Sequence, residues 1–428
     1  MSDPSTLRTT LDNGLTIIAR SRRTAPIGSF WMWYRVGGRN ETPGITGISH
    51  WVEHMLFKGT EQLPSGEIFR RISAAGGSLN GFTWLDYTTY FETLPIDRID
   101  LAFDIEADRL MNARFDPDEV ESERTVIITE RQGNENQPTF FLREEVNGIA
   151  FRAHPYGQGV IGFLSDLQGI TREELFRHYL AYYRPNNAVA VFVGDLDASE
   201  ATARIAERFG AAPRGDAPPE VRTVEPEPQG ERRVTVRRPA PNRVLQFAYL
   251  APAAHDPDVA PLTVLDAVLS GGKPFSLSGA GGTFGRSSRL YRHFVQSGLA
   301  TGAGSSFALS IDPFLFSLSA TLNPETDAEE IEDKLEGELV QLREETVGDE
   351  ELGRAKRQVR AQFAYGQESV TSQAYWLGSL ATVAPERDPD AFADELEQVT
   401  AEDVQRVATR YLNPNQRVVG WLIPSNGA

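Results

Sequence analysis

The sequence predicts an α+β protein made of two duplicated units, each a largely antiparallel sheet flanked by helices. Three observations lead to this fold class. The chain has 428 residues, which is too many for one ordinary core. A segment with five prolines between residues 211 and 230 divides the chain nearly in half. Finally, the two halves end with the same series of structural signals.

The repeat is clearest where the two halves end. Thr171 and Thr400 lie 229 residues apart, and each can cap an amphipathic helix that stops before a Pro-Asn pair and an apolar strand. Chance similarity of two helix ends does not account well for so many features in the same order. We therefore predict a first domain over residues 1–213, a linker over 214–230 and a related second domain over 231–428.

Local signals assign the first elements of the first domain. Asn13-Gly14 lies between two β-prone runs and predicts a hairpin, and residues 27–36 supply a further strand. The sheet is therefore expected to begin antiparallel. Thr46 is a candidate cap for a helix that reaches Phe57.

The next signals continue this pattern to a long helix. Ser65 can cap a second helix that stops at Gly76-Gly77. Ser78 to Thr83 and Tyr87 to Leu94 then have the composition of two strands joined by a short turn. Asp116-Pro117-Asp118-Glu119 combines a capping carboxylate, a proline at the first helical position and a glutamate at the third. This combination predicts a helix that runs past Glu130.

Composition and charge exclude several classes of function. The formal net charge of −18 argues against nucleic acid and anionic membranes as partners, since both require a basic surface. The acidity is expected to serve solubility, with some long-range attraction for cationic ligands. The chain has no cysteine, so any metal must be bound by histidine and carboxylate ligands. No signal-like start and no apolar run of about 18 residues is present, so we expect a cytoplasmic protein, or a periplasmic one if a signal was removed.

A glycine-rich segment from Ser270 to Gly282 is the one candidate phosphate loop. It lacks Gly-Lys-Ser/Thr, and Pro274 follows the lysine where a helix should begin. We therefore expect a flexible loop there and no nucleotide site.

The run His50-Trp51-Val52-Glu53-His54 is the strongest chemical signal in the chain. Two imidazoles at positions i and i+4 of a helix project from one face, close enough to bind one ion. The neighbouring carboxylate can take a proton from a water molecule at that ion. A solvated histidine pair on a surface helix is the alternative, but the chain has only six histidines. The other four lack a paired metal spacing and are expected to be structural.

A catalytic zinc usually has three protein ligands and one open position, so a third ligand must come from elsewhere. The helix that begins near Asp116 carries Glu123 and Glu130, seven residues apart and hence on one face. Apolar residues 126–128 lie between them, and a carboxylate among apolar neighbours requires a partner. From spacing alone, however, both can equally be ordinary glutamates of a solvated helix face.

The pattern His50-x-x-Glu53-His54 followed by Glu130, 76 residues beyond the second histidine, resembles the pitrilysin/insulinase family of inverted-motif zinc metallopeptidases. Within that family it is most similar to the mitochondrial-processing-peptidase-like bacterial branch, in its zinc-bearing subunit. The resemblance extends over nearly the whole chain. Further matching segments are Leu11 to Gly14, Gly76 to Asn80 with Thr83, Asp86, Thr88 and Tyr90, His154 to Tyr156, Tyr183 to Asn187, and Gly285 to Tyr291.

The resemblance implies the roles of five residues. His50, His54 and Glu130 would bind one Zn²⁺ per chain, Glu53 would act as the general base, and Glu123 would have a supporting catalytic role near the ligands. Zinc lowers the pKa of a bound water toward about 7, and Glu53 would accept the proton as the water attacks a peptide carbonyl.

The resemblance also implies how substrates are bound. The two units would be arranged as a clamshell around a chamber that admits peptides. The strand from Ser78 to Thr83 would pair with an extended peptide, so sequence preference should be broad. Asn80 is a candidate substrate-binding residue on this strand, although a strand-end or turn role suits asparagine equally well.

The predicted function is therefore that of a zinc metalloendopeptidase acting on peptides and oligopeptides. Two alternatives remain. The first is a noncatalytic structural or regulatory subunit of the same fold, but such a chain would not need an intact base and ligand set. The second is a specific presequence-processing peptidase, to which acidic walls would be suited.

One departure from the family pattern concerns substrate-binding donors in the second half. Where the family has an arginine and a tyrosine that hold the substrate, this chain has Val295 and Thr301. The family also contains heterodimers in which the zinc-bearing subunit has a homologous, zinc-less partner carrying the Arg/Tyr pair. We therefore predict such a partner for this chain. In the alternative, Tyr291, Arg292 or Arg289 replaces the missing donors and the protein acts as a homodimer.

Overall fold

The computed structural model describes residues 6–274 and 285–425, which form two compact units. Most of the predicted glycine-rich loop lies outside the described residues. Neither unit is continuous in the chain. Unit 1 contains the residues up to Gln132, Gln158–Arg222 and Gln367–Pro385, and unit 2 contains Gly133–Gly157, Thr223–Gly366 and the residues from Glu386 on.

Residues 214–230 form neither helix nor strand, and the chain passes from unit 1 to unit 2 within them. In addition, unit 1 contains Gln367–Pro385 from the second half of the chain, and unit 2 contains Gly133–Gly157 from the first half. A single cut between two continuous domains therefore does not describe the units.

Eleven strands and fourteen α-helices lie within the described ranges. In chain order they are β1 (Thr6–Thr10), β2 (Thr16–Ser21), β3 (Ile27–Tyr34), α1 (Ile48–Leu56), α2 (Glu67–Ala74), β4 (Ser78–Thr83), β5 (Thr88–Pro95), α3 (Asp100–Asn112), α4 (Pro117–Glu135), α5 (Pro138–Ala150), α6 (Leu164–Gly169), α7 (Arg172–Tyr182), β6 (Ala188–Gly194), α8 (Ala198–Phe209), β7 (Arg232–Arg238), β8 (Val244–Ala251), α9 (Val259–Ser270), β9 (Ala300–Phe307), β10 (Phe314–Leu322), α10 (Ala328–Glu344), α11 (Asp349–Gly366), α12 (Val370–Val383), α13 (Phe392–Gln398), α14 (Ala401–Tyr411) and β11 (Val418–Pro424). No helix in this set is both long and apolar enough to cross a membrane.

The sheet of unit 1 has six strands in the order β1-β2-β6-β3-β5-β4. Every neighbouring pair is antiparallel except β2 and β6. The predicted hairpin is present, with Thr10 opposite Thr16 and Gly14 at a φ of 93° in the connecting loop. The predicted antiparallel start of this sheet is therefore confirmed.

The sheet of unit 2 repeats this plan with five strands in the order β7-β11-β8-β10-β9. Its one parallel pair is β7 and β11, which corresponds to β2 and β6 of unit 1. The predicted helix caps are also repeated, because the hydroxyl of Thr171 accepts from the Glu174 N–H and that of Thr400 from the Asp403 N–H. These matches confirm the predicted fold class of two duplicated, largely antiparallel sheets with flanking helices.

Strand β3 shows how the sheet of unit 1 is covered on both faces. Phe30, Met32 and Tyr34 belong to the buried core that includes α1, α3 and α8. The alternate residues Trp31 and Trp33 contact Tyr375 of α12, with ring centroids 6.0 Å and 5.7 Å apart. Since side chains alternate along a strand, α12 packs on the opposite face from α1.

Unit 2 is covered in a comparable way. Helix α5, from the first half of the chain, packs against β7, β8 and β11. Gly420 of β11 permits this contact, because a Cβ there would lie 2.3 Å from a methyl carbon of Val146. Helix α9 packs against β9, and α14 against β8.

The cap positions of α1 and α2 each lie one residue later in the chain than predicted. The residue before α1 is Gly47, at a φ of 87°, and the residue before α2 is Gly66, at 82°. Both predictions of a capping hydroxyl, at Thr46 and Ser65, are therefore wrong. The Thr46 hydroxyl instead donates to Asp166 Oδ2 at 2.8 Å, which fixes the loop before α1.

Candidate metal and catalytic site

Helix α1 presents two faces of different chemistry. Its buried apolar residues follow the i, i+3, i+4, i+7 spacing of a core-facing helix; they are Ile48, Trp51, Val52, Met55 and Leu56. His50, Glu53 and His54 occupy the other face and line a cavity of about 630 Å³. The packing of the apolar face therefore determines where these three polar side chains point.

Three side chains bring candidate ligand atoms together in this cavity. His50 Nε2 and His54 Nε2 are 3.2 Å apart. Glu130 Oε2, from α4, lies 3.8 Å from the first of these nitrogens and 3.7 Å from the second. Among residues 6–274 and 285–425, this is the only group of three or more His, Cys, Asp or Glu residues with such a spacing.

This donor set fits a zinc ion. Zinc–nitrogen bonds of about 2.0–2.1 Å in a tetrahedral arrangement require ligand atoms roughly 3.3–3.5 Å apart. The three separations, 3.2, 3.8 and 3.7 Å, lie close to that range. Two imidazoles and one carboxylate also match the ligand types of catalytic zinc sites.

Electrostatics keep one of the two imidazoles uncharged. Burial lowers the pKa of His50 to about 3, so it is neutral at physiological pH and has a lone pair available for a metal. Burial also lowers the pKa of His54, but the hydrogen bond to Glu123 and the nearby carboxylates outweigh this effect and raise it overall.

Glu123 supports His54 at the ring nitrogen that does not face His50 and Glu130. Its Oε1 lies 2.7 Å from His54 Nδ1, and its Oε2 lies 2.5 Å from Lys58 Nζ. Burial raises the pKa of Glu123, but the bonds from His54 and Lys58 outweigh burial and lower it. An ionised Glu123 accepts a hydrogen bond from the Nδ1–H of His54, which leaves Nε2 as the candidate ligand atom.

Glu53 lies beside the ligands and is 5% exposed. Its Oε2 accepts a hydrogen bond from the Thr83 hydroxyl of β4 at 2.8 Å. Burial raises its pKa to about 7, against the opposing effects of His54 and Thr83. A carboxyl group with a pKa near the working pH is suited to both accepting and returning a proton.

Asn80 lies on β4 and lines the same cavity as the other predicted site residues. Its Oδ1 accepts from the Gly81 N–H at 2.9 Å. All six residues predicted from the sequence, His50, Glu53, His54, Asn80, Glu123 and Glu130, therefore surround one cavity. Their functional roles stay predictions.

Several residues of the site were not identified from the sequence. Lys58 forms ion pairs with both Glu119, at 3.3 Å, and Glu123. The spacing of these two glutamates, four apart on one helix face, was a usable signal for a nearby cation. Phe57, Phe69 and Phe82 also line the cavity, but no sequence pattern distinguishes them from core residues.

The two residues at the positions of the family's donor pair, Val295 and Thr301, lie in unit 2. Val295 ends a short π-helical turn, and Thr301 of β9 donates its hydroxyl to the carbonyl of Thr321 at 3.2 Å. The candidate substitutes Arg289 and Arg292 both pair with Glu351, at 2.7 Å and 3.4 Å.

Family models match both halves of the chain. Residues 16–162 match a model described as insulinase (peptidase family M16), and residues 169–359 match one described as the peptidase M16 inactive domain. The first match contains all six predicted site residues.

Individual relatives agree with these models. The chain is 30% identical over 413 residues to an uncharacterised zinc protease of Mycobacterium tuberculosis, covering 95% of this chain and 90% of that protein. It is 30% identical over 209 residues to a protein of Arabidopsis thaliana named as a probable mitochondrial-processing peptidase subunit beta, covering 49% of this chain and 39% of that one. The crystal structure of a protease from Helicobacter pylori matches with a TM-score of 0.92 and 26% identity, covering 99% of this chain and 100% of that chain.

Proposed function

This chain belongs to the insulinase family of peptidases, M16, and from that premise we propose that it is a zinc-dependent endopeptidase that hydrolyses peptides and oligopeptides. The observation that carries the proposal is the convergence of His50 Nε2, His54 Nε2 and Glu130 Oε2 beside Glu53 in one cavity. A noncatalytic subunit would not need this complete set of ligands and base.

Five residues of the cavity have distinct roles in the proposed hydrolysis. His50, His54 and Glu130 would hold the metal, which when bound would supply a Lewis acid for the scissile carbonyl and would lower the pKa of a water molecule. Glu53 accepts a proton from the attacking water and returns it to the leaving amine. The Thr83 hydroxyl donates a hydrogen bond to Glu53 Oε2 and so orients the carboxylate for both proton transfers.

The walls of the cavity suggest how a peptide is oriented. Strand β4 is the last strand of its sheet and pairs with β5 alone among the described strands. Its other edge can therefore pair with an extended peptide backbone. Phe57, Phe69 and Phe82 offer apolar surface next to the ligands, which favours a large apolar side chain near the scissile bond.

Metal analysis combined with peptide cleavage tests the proposed function. The purified protein should bind about one zinc per chain and hydrolyse peptides. Glu53→Gln should keep the zinc and lose roughly 10²–10⁴-fold in kcat, since only the proton acceptor is removed. His50→Ala and Glu130→Gln should lose the metal and the activity together. Full activity in Glu53→Gln would exclude the mechanism.

We also propose that this chain is the catalytic half of a heterodimer with a homologous, zinc-less subunit. Val295 and Thr301 cannot supply the hydrogen bonds of an arginine and a tyrosine, and Arg289 and Arg292 are already paired with Glu351. Fixed donors aimed at a developing oxyanion are worth a few kcal/mol. The chain alone should therefore cleave peptides slowly.

Adding a zinc-less homologue that bears the Arg/Tyr pair tests the partner proposal. We expect the cleavage rate to rise by roughly 10²-fold or more, with no rise when the partner's arginine is changed to alanine. Equal rates with and without the partner would exclude a requirement for it.

A specific presequence-processing role is the narrower candidate, and the similarity to a mitochondrial-processing peptidase subunit favours it. Digestion of a peptide library separates the two functions. One dominant cleavage motif would support processing, and scattered cuts would support general degradation of oligopeptides.

A further inference from the structure

The beginning of α1 is held by a side chain from outside the helix. Gly47, the residue before α1, has no side chain with which to cap it. Instead, Glu41 Oε2 accepts the Gly47 N–H at 2.7 Å and Glu41 Oε1 accepts the Ser49 N–H at 2.9 Å. One carboxylate, six residues before Gly47, thus accepts from two of the N–H groups that a helix leaves unpaired at its start.

Further contacts fix the same turn. The Ser49 hydroxyl lies 3.2 Å from the Gly37 carbonyl oxygen and 3.1 Å from Nε2 of the buried His178. Asp166 Oδ2 accepts from the N–H groups of Gly44 and Thr46. The loop before α1 is therefore attached at several points, and its Glu41 carboxylate is the group that binds the backbone N–H groups at the start of the helix.

The burial of Glu41 makes this arrangement costly. Its side chain is 1% exposed, and burial raises its pKa to about 7. A neutral side chain would avoid the cost of burying a carboxylate. Stability alone therefore does not explain a carboxylate at this position, whereas the need to hold two N–H groups in fixed positions does.

The residues that follow are those of the site. His50 is adjacent to Ser49, and Glu53 and His54 lie one turn further along α1. Ligands and a general base must be held to within about 0.5 Å of their productive geometry, so a displaced first turn would affect all three.

We propose that Glu41 is a positioning residue, whose buried carboxylate fixes the first turn of α1 and so sets where His50, Glu53 and His54 meet the metal and the substrate. This inference rests on the proposed function. Glu41 does not contact the cavity itself, and its effect is transmitted through the backbone of α1.

The test compares Glu41→Gln with the unchanged protein in three measurements. An amide has one oxygen acceptor, so one of the two N–H groups loses its partner. We expect the zinc dissociation constant, measured by competition with a chelator, to rise about 10-fold or more, as when a group supporting a ligand is removed. We expect kcat to fall by a similar factor, while KM stays within about twofold of the parental value. The denaturation midpoint of the zinc-free variant should stay near that of the zinc-free parent protein.

Two further variants make the result decisive. Glu41→Asp keeps both acceptors on a shorter side chain and should give intermediate zinc affinity, and it replaces Glu41→Gln if the latter does not fold. Asp403→Asn is the matched control, because Asp403 accepts the Thr400 N–H at the start of α14, a helix without ligands. It should leave zinc affinity and kcat within about twofold.

The outcomes separate this inference from the function on which it rests. Parental zinc affinity and kcat in Glu41→Gln, or equal losses in Glu41→Gln and Asp403→Asn, would overturn the positioning role. A parent protein that neither binds zinc nor cleaves peptides would overturn the proposed function instead.

Discussion

The proposed ligand His54 depends on a carboxylate that is not itself one of the proposed ligands. Glu123 is 5% exposed and is held between His54 Nδ1 and Lys58 Nζ. Such a partner fixes both the tautomer and the orientation of a ligand imidazole. The geometry of the site therefore extends at least one residue beyond the atoms that would touch the metal.

Replacing Glu123 by glutamine should weaken zinc binding about 10- to 100-fold, because His54 loses a charged acceptor. Competition with a chelator measures the change. Glu121→Gln is the matched control, since Glu121 lies on the same helix but is solvent-exposed and pairs with Arg124. Equal zinc affinities for the two variants would contradict the role of Glu123.

His178 should make the stability of the protein depend on pH. Burial lowers its pKa to about 3, from about 6.5 in an unfolded chain. Between these two pH values the unfolded chain binds a proton at His178 and the folded chain does not. The stabilising contribution of the neutral, buried His178 to the free energy of unfolding is therefore fully present above pH 6.5 and is lost as the pH falls toward 3. Between pH 7 and pH 5 the loss should reach about 2 kcal/mol.

Denaturant unfolding of the zinc-free protein at pH 7 and pH 5 measures this effect. The decrease in the free energy of unfolding should be about 2 kcal/mol smaller in His178→Gln than in the parent protein. Identical decreases would show that His178 does not remain neutral in the folded state.

At the scale of elements, α12 completes a core that the first half of the chain leaves open. Gly378 of α12 packs against Trp33 so closely that an added Cβ would lie 2.0 Å from the indole nitrogen. A methyl group there must displace either the helix or the ring. The contact between these two elements therefore requires glycine.

Gly378→Ala should destabilise the protein by about 1–3 kcal/mol, as overpacking of a core does. Gly337→Ala is a matched control in the middle of α10, where nothing lies within 4 Å of the added atom. That change should instead stabilise the protein, by up to about 1 kcal/mol, through helix propensity. Denaturation midpoints measure both effects, and a neutral Gly378→Ala would show that the contact is loose.

The elements that the sequence predicts well are those with local signals. The Asn13-Gly14 hairpin and the helix caps at Thr171 and Thr400 depend on residues within a few positions of one another, and each was confirmed. The start of α1 was missed because its cap, Glu41, is separated from it by a loop. The placement of α12 on the first sheet joins residues more than 300 positions apart and has no local signal.

The residues of the candidate site also divide into those with a local sequence signal and those brought together only by tertiary packing. His50, Glu53 and His54 share one helix, so helical spacing is enough to bring them together. Spacing alone left Glu130 undecided, and only the resemblance to a family selected it. Lys58 and the aromatic lining come from separate elements that meet through tertiary packing.

At the scale of the whole molecule, the net charge of −18 should influence which peptides are captured. A long-range negative potential raises the encounter rate of cationic substrates, and salt screens it. We expect kcat/KM for a lysine-rich peptide to fall several-fold between about 20 mM and 300 mM salt. A neutral peptide with the same cleavage site should change little. The same salt dependence for both peptides would show that net charge has no part in selection.

The exchange of segments between the units has a consequence for synthesis on the ribosome. Unit 1 includes Gln367–Pro385, so the face of its sheet that α12 covers stays bare until most of the chain has been translated. At about 5–20 residues per second, the interval between β6 and α12 lasts roughly 10–40 s. Trp31 and Trp33 would be exposed to solvent throughout that time, which makes the nascent chain a client for chaperones that bind aromatic surface. A chain that ends before Gln367 should aggregate or be degraded, even though it contains every proposed metal ligand.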